Sequence, residues 1–506
     1  MRYTSTRDKN VDVSSSWAIA QGISADGGLF VPVEIPKVSL DDIAAMANMS
    51  YVERAKRVLS LYLTDFTAEE LAYCVEGAYG DNKFSSEDIA PIHELKAGEE
   101  ILELWRGPTC AFKDMALQML PRLMTVSVKK AVGTRETVIL VATSGDTGKA
   151  ALEGFKDVEG TKILVFYPDE GVSPMQKLQM TTQEGSNVAV CAIKGNFDDA
   201  QTGVKTIFTD KEIGKKLAEH GMAFSSANSI NWGRLVPQIV YYFSAYCDMI
   251  RNGRIKAGDK INFVVPTGNF GNILAAYFAK QMGVPIDKLI CASNDRLICA
   301  SNKNRVLTDF FDTGVYDINR SFYTTSSPSM DILISSNLER LLFIASGYSD
   351  EFVREMMGDL KQKGKYTMPE NVMSAINSVF CAGCCDDEGT KETIKKTFED
   401  YGYLCDTHTA VGINVYEKYA EKTGDKTPTV IDSTANPFKF SRSVLDAVEP
   451  GASEGLDEFS MVGELARVTK TSCPPQLADL RDKPVRFRDV CDRDSMEKAV
   501  FRLLGI

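Results

Sequence analysis

Three continuous apolar runs constrain this chain more than any other feature. They are Thr137–Thr143 (TVILVAT), Ile163–Pro168 (ILVFYP) and Val188–Ile193 (VAVCAI). A strand that alternates polar and apolar residues has one wet face, whereas runs like these belong to strands covered on both faces. Each is followed by a helical stretch: Lys149–Phe155, Pro174–Thr182 and Phe197–Thr209. Strand, loop and helix in repetition predict a mostly parallel α/β sheet. The rhythm resumes with a long apolar helix at Leu235–Ile250, a strand at Ile261–Pro266, a helix at Ile273–Met282 and a strand at Leu289–Ser293. Helices are predicted near Ile332–Ile344, Glu351–Lys363, Cys381–Asp400 and Thr409–Glu421, and the last core strand at Pro428–Ser433. The charged tail, Glu449–Ile506, reads as peripheral.

The first 95 residues have a different character. Asp26-Gly-Gly28 turns into a short strand, and Leu40–Met49 and Tyr51–Leu63 are amphipathic helices. Thr67 with Glu70 three residues on has the spacing of a reciprocal helix cap. The predicted organisation is a mainly helical unit at 1–95, a large α/β unit built from 96–130 and 250–506, and a small α/β unit at 131–249.

Composition removes several functions. A formal net charge of -12 argues against nucleic acid as a primary partner, and no run of 18 apolar residues suggests a membrane span. The start of the chain has no apolar stretch of the kind a signal peptide carries. The 12 cysteines are thinly spread, and the one cluster, Cys381-Ala-Gly-Cys384-Cys385, has no second cysteine pair or histidine at ligand spacing. A structural thiol cluster, no metal and a cytoplasmic setting are therefore expected. With only His93, His220 and His408 available, acid–base chemistry is pushed toward lysine, aspartate or a cofactor.

Two strand-to-helix loops are suited to anions, because free N–H groups at a helix start favour negative charge. In Gly268-Asn269-Phe270-Gly271-Asn272, glycines let the backbone approach a phosphate closely, although the dinucleotide GxGxxG pattern is not met. The loop Thr143-Ser144-Gly145-Asp146-Thr147-Gly148-Lys149 is not a nucleotide P-loop, since Thr143 stands where glycine is required. Its hydroxyls and N–H groups suit a carboxylate. A third polar segment, Ser225 to Arg234, holds Asn228, Ser229 and Asn231, with Arg234 able to fork onto phosphate or carboxylate. A helix cap with a polar first turn is the commoner use of such a segment, and the threonine of Asp406-Thr-His408-Thr409 could likewise be a simple cap.

One lysine is out of place. Lys113 lies between Cys110-Ala111-Phe112 and Met115-Ala116-Leu117, just after a Gly107-Pro108-Thr109 turn. Burial would lower its pKa and make the amine available to condense with an aldehyde, as a Schiff base to pyridoxal phosphate requires. A helix start with one snorkelling lysine is the alternative.

Eight motifs decide between these readings: YTSTR, DGGLFVP at 26–32, GPTCAFKDMALQ, ATSGDTGKAA, SANSINWGRL, PTGNFGN, THTAVG and STANPFKF. In this order and over nearly the whole chain they resemble the threonine synthase family, among the tryptophan-synthase-like (fold type II) pyridoxal phosphate enzymes, in its long form with an N-terminal domain. The resemblance implies that Lys113 carries the Schiff base and that Gly268, Asn269, Phe270, Gly271 and Asn272 hold the cofactor phosphate. Thr409 would meet the pyridine nitrogen. Ser144, Gly145, Asp146 and Thr147 would face the substrate carboxylate and the cofactor's 3-hydroxyl. Asn228, Ser229, Asn231 and Arg234 would lie by the substrate phosphate. The implied reaction converts O-phospho-L-homoserine and water to L-threonine and phosphate, by γ-elimination and β-addition of water, in a monomer or homodimer. Two positions depart from the family: Arg106 where histidine is common, and Asn272 where an acid is. Alternatives that keep the fold are β-replacement or dehydration, or a non-catalytic relative that binds pyridoxal phosphate or phosphate ligands.

Overall fold

The computed structural model describes residues 1–506 except 81, 144, 170, 171, 295–304, 322 and 324, and only the backbone of 197 and 198. The chain opens with β1 (Tyr3–Ser5), β2 (Asp8–Val13) and β3 (Phe30–Pro32), an antiparallel sheet ordered β2-β1-β3. Helices Leu40–Met46, Tyr51–Tyr62 and Ala68–Tyr79 follow. The last is capped as the sequence predicts: Glu70 N–H donates to Thr67 Oγ1 at 3.2 Å, and Thr67 N–H donates back to Glu70 at 2.8 Å.

Next come β4 (Ile92–Lys96), β5 (Glu99–Glu103), β6 (Glu136–Ala142), β7 (Thr161–Pro168), β8 (Val188–Lys194) and β9 (Met222–Ser225). After the helix Trp232–Arg251 the chain adds β10 (Ile261–Pro266), β11 (Ile286–Asn294), β12 (Val315–Asp317), β13 (Lys365–Thr367), β14 (Phe380–Cys385), β15 (Thr429–Ser433) and β16 (Asp489–Asp492). Two larger sheets result. One is ordered β14-β11-β10-β15-β5-β4 and is parallel except for the β4–β5 hairpin; the other, β16-β8-β7-β6-β9, is parallel throughout. The continuous apolar runs are the interior strands, buried along nearly their whole length. The α/β class with mostly parallel sheets is as expected.

Three readings need correction. Cys381–Cys385 was expected in a helix, yet it runs as β14, paired to β11 from Leu289↔Phe380 to Asn294↔Cys385, and the helix starts only at Asp387. Asp386 caps the start of that helix by accepting from Gly389 N–H at 2.8 Å, a start signal masked by the polar run around it. The helix expected from Ile332 begins at Leu338. The tail is not merely peripheral: β16 extends the five-stranded sheet beside β8, and Met496, Ala499, Val500 and Leu504 of the final helix enter that sheet's hydrophobic core. The helix Trp232–Arg251 is buried over 18 residues, including Arg234 at its first turn.

Candidate active site

Lys113 begins a short helix, Lys113–Leu117, directly after the turn the sequence predicts. Asp114 closes that turn by accepting Thr109 N–H at 2.8 Å and Thr109 Oγ1–H at 2.7 Å. Gly107 is required there, because a Cβ would stand 2.6 Å from Asp114. Burial pushes the Asp114 carboxyl up to about 6, against the pull of the Thr109 hydrogen bonds. Across from it, Phe112 N–H donates to Thr434 O at 2.8 Å and Asn436 N–H donates to Cys110 O at 3.1 Å. The lysine segment is thus stitched to the loop leaving β15.

The amine itself is enclosed, with the Lys113 side chain 11% exposed. Its Nζ donates to Ser329 Oγ at 3.1 Å and lies 3.7 Å from Asp146 Oδ2. Burial lowers its pKa; Asp146 opposes that, while Lys439 and Arg234 add to it by repulsion. Asp146, the first residue of the helix Asp146–Phe155, also meets the buried Lys439 Nζ at 2.8 Å and accepts from Gln176 Nε2 at 3.1 Å. Burial alone would raise the Asp146 carboxyl, but Lys439, Lys113 and the hydrogen bonds hold it well below the usual carboxylate range. Gly145, just before it, has φ +150° and leaves no room for a Cβ beside the Gln176 amide.

The loop Gly268–Asn272 has the form of an anion cradle. Phe270 sits left-handed at φ 64° and caps the helix Gly271–Met282 with no side-chain hydrogen bond of its own; of the first-turn N–H groups, that of Ile273 donates to Asn272 Oδ1 at 3.0 Å. The loop carbonyls are turned the other way: Gly268 O accepts from Ser335 Oγ at 2.7 Å, and Asn269 O accepts from Asn337 N and Nδ2 at 3.1 Å each. Asn272 braces the loop by donating Nδ2–H to Pro266 O at 2.8 Å. Gly268 packs so closely on Ser329 that a Cβ would fall 2.5 Å from the Ser329 carbonyl oxygen. Through Ser329, therefore, the amine and the loop are neighbours.

Thr409 lies on the far side. It is fully buried in the first turn of the helix Thr407–Thr423, with Oγ1 donating to Asp406 and 3.1 Å from Ser433 Oγ. The adjacent His408 accepts Ser329 N–H on Nε2 at 3.2 Å.

Of the segment preceding the buried helix, Arg234 is the informative residue. It is 4% exposed, its Nη1 donates to Ala227 O at 2.6 Å, and its Nε finds no partner among the described residues. Burial lowers its pKa to about 10, which leaves it charged at neutral pH. Asn231 is already engaged, donating to Ile19 O and Ser226 O and capping Gly233 N–H at 2.9 Å. Asn228 is exposed and Ser229 partly so, and Thr147 is half-buried beside Asp146. Ser144 lies outside the described residues. Arg106 turns to Glu103 at 2.8 Å and stacks 4.3 Å from the Trp105 ring.

These features fit a pyridine aldehyde bearing a phosphate: a shielded amine of lowered pKa, a helix start without a side-chain cap beside it, and a buried arginine nitrogen without a partner. Sequence reasoning missed Lys439, Ser329, Gln176 and the Asp406–His408 pair. Lys439 and His408 fall inside the motifs STANPFKF and THTAVG, whereas Ser329 had no signal, because its segment has neither a glycine loop nor a preceding strand.

Comparisons with known proteins agree. A family model described as "Threonine synthase N terminus" matches residues 2–79, and one described as "Threonine synthase, C-terminal" matches 409–500. The chain is 40% identical over 444 residues to the human protein threonine synthase-like 1, covering 86% of this chain. It spans only 58% of the length of that relative. Threonine synthase of Schizosaccharomyces pombe is 37% identical over 471 residues, 87% of this chain and 88% of that protein. The crystal structure of PLP-bound threonine synthase from Brucella melitensis superposes with a TM-score of 0.86 at 38% identity, covering 99% of both chains. With its buried lysine, its glycine loop and relatives that align along their length, this chain belongs to the threonine synthase family.

Proposed function

We propose that this chain is a threonine synthase, converting O-phospho-L-homoserine and water into L-threonine and phosphate with pyridoxal phosphate as cofactor. The observation that carries the reading is the enclosed Lys113 Nζ, held between Ser329 and Asp146 beside the glycine loop. When bound, pyridoxal phosphate supplies an electrophilic aldehyde and a conjugated ring that takes up the electron pair left when a proton leaves the carbon next to the substrate amine.

The chain's own residues do the rest. Lys113 attaches the cofactor and, as a free amine, removes and returns protons at the substrate's carbons, a role its lowered pKa favours. Gly268, Asn269, Phe270, Gly271 and Asn272 hold the cofactor phosphate through backbone N–H groups at the start of Gly271–Met282. Thr409, buried beside Asp406, would meet the pyridine nitrogen, and Asp146, close to Lys113, would meet the 3-hydroxyl. Ser144, Gly145 and Thr147 receive the substrate carboxylate at the N-terminus of the helix Asp146–Phe155. Arg234 takes the substrate phosphate with its free Nε, helped by Asn228 and Ser229, while Asn231 holds the turn that presents it.

The division of the chain into units at 1–95, 96–130 with 250–506, and 131–249 remains our reading, amended so that residues 489–504 go with the five-stranded sheet. A cytoplasmic setting is part of the same reading, in keeping with described cysteines such as Cys74, Cys110 and Cys247 as free thiols. Among the described residues no helix is long and apolar enough to cross a membrane.

The test is direct. Wild-type protein with pyridoxal phosphate should release phosphate from O-phospho-L-homoserine and form threonine, and Lys113→Ala should lose both along with the protein's visible absorbance. Ammonia release from threonine without phosphate release would move the assignment to dehydration.

A further inference from the structure

Ser329 belongs to no motif that marked the site, yet three parts of the site meet on it. It lies in the turn Pro328–Met330. Its Oγ accepts from Lys113 Nζ at 3.1 Å, its N–H donates to His408 Nε2 at 3.2 Å, and its carbonyl oxygen presses against the Cα of Gly268. His408 is 2% exposed, and its Nδ1 lies 2.7 Å from Asp406 Oδ2. That contact requires the ring proton on Nδ1, leaving the Nε2 lone pair to receive the Ser329 N–H. The other oxygen of Asp406 accepts from Thr409. One carboxylate therefore orients both the imidazole behind Ser329 and the hydroxyl of Thr409.

We propose that Ser329 is a second catalytic residue of this site, its hydroxyl oxygen gripping Lys113 Nζ in both charge states, and that His408 is the positioning residue that sets its main chain. The proposal rests on the reading of Lys113 as the reacting amine. An ammonium carries three N–H bonds, and the neutral amine two with a lone pair. Ser329 Oγ can accept an N–H from either, more strongly from the ammonium. When the lone pair takes a proton from a substrate carbon, the amine becomes an ammonium and the electron pair stays on the substrate. The N–H to Ser329 is common to both states, so the nitrogen stays in place between taking the proton and returning it. Asp146, at 3.7 Å, cannot do this, since a carboxylate rewards only the charged form. The charged groups acting on Lys113 are Asp146 from the helix Asp146–Phe155, Lys439 from the turn Pro437–Phe440 and Arg234 from the helix Trp232–Arg251. Ser329 is the neutral partner among them.

The test uses the full chain as wild type, Ser329→Ala, Ser329→Thr, His408→Gln and His408→Leu. Turnover is measured on the holoenzyme. The rate at which trinitrobenzenesulfonate labels Lys113, located by peptide mapping, is measured near neutral pH after the cofactor is removed. Losing an acceptor for the ammonium leaves the amine neutral more often, so Ser329→Ala should label faster while its kcat falls by about 10- to 100-fold. Ser329→Thr should restore kcat to within about threefold of wild type, and His408→Gln, which keeps an acceptor, should outperform His408→Leu in kcat. Loosening of the site would also speed labelling by exposing the amine, but it would move the midpoint of the labelling–pH profile up toward that of a free lysine, whereas loss of the acceptor moves it down; an upward shift in Ser329→Ala overturns the proposal. Ser329→Ala with both quantities within about twofold of wild type overturns the proposal, and so does lost turnover with unaltered labelling. If wild type fails to release phosphate from O-phospho-L-homoserine, the functional reading falls, while the labelling comparison still decides the role of Ser329.

Discussion

Lys439→Met should be the most damaging single change outside Lys113. Lys439 Nζ sits 2.8 Å from Asp146 Oδ1 and donates to Thr109 O at 2.9 Å, with its side chain 0% exposed and that of Asp146 4%. Removing one member of a buried pair leaves the other charge desolvated and costs about 3–5 kcal/mol. Asp146 keeps Gln176 at 3.1 Å and Lys113 at 3.7 Å, which places the cost at the lower end, about 3 kcal/mol. Urea denaturation of the full chain without cofactor reads it. Because Asp146 is held below its ordinary value of 3.8, its stabilisation is complete above that pH and is lost as pH falls through its lower folded value; the deficit of the variant should therefore narrow below about pH 4. Adding Asp146→Asn removes the stranded charge and should recover at least about 1.5 kcal/mol of the loss. There is also a functional arm. Burial first, and then Lys439, lowers the Lys113 pKa, so Lys439→Met should move the acid limb of the kcat profile, which reports the amine once substrate is bound, to higher pH. A double variant as unstable as the single one, or an unmoved acid limb, refutes the reasoning.

Other outcomes follow from the same geometry. Asp432, buried in β15 with Tyr242 OH the only side chain among the described residues donating to it, at 2.8 Å, is pushed up to about 8, so wild type loses about 1.4 kcal/mol per pH unit between 3.8 and that value. Asp432→Asn should therefore be more stable than wild type at pH 8 and gain nothing at pH 4, as compared by denaturation at both pH values. Gly268→Ala puts a methyl 2.5 Å from the Ser329 carbonyl oxygen, and should weaken pyridoxal phosphate binding by at least about tenfold in an equilibrium titration. Truncation after residue 488 strips β16 from the edge of β8 and uncovers the core beneath the final helix; size-exclusion chromatography should show aggregation.

Much of the site was legible because its signals are local. A glycine loop after a buried strand, a lysine inserted among apolar residues and a threonine at a helix start can each be read from a few neighbours, and the Gly268 loop, Lys113 and Thr409 all stand on elements close to those predicted. Ser329 could not be read this way. It reaches Lys113 across 216 positions, from a turn with no periodicity, and its role depends on an imidazole from a third segment. Lys439 was visible as part of a motif, but a lysine in a sequence carries no mark of complete burial. Arg106, which stands where relatives often have histidine, pairs with Glu103, a partner that its position in the sequence did not mark.

The amino-acid order alone determined the layers of this protein, because strand and helix periods and loop chemistry are short-range properties written in consecutive residues. It also determined which loops could face an anion. Tertiary structure alone decided which loops meet, that the tail returns to pair Asp489 with Cys191 of β8 in the five-stranded sheet, and how three cations and one carboxylate share a single enclosure. Those outcomes depend on distances between remote segments and on water being excluded from between them, quantities that arise only when the chain has closed on itself.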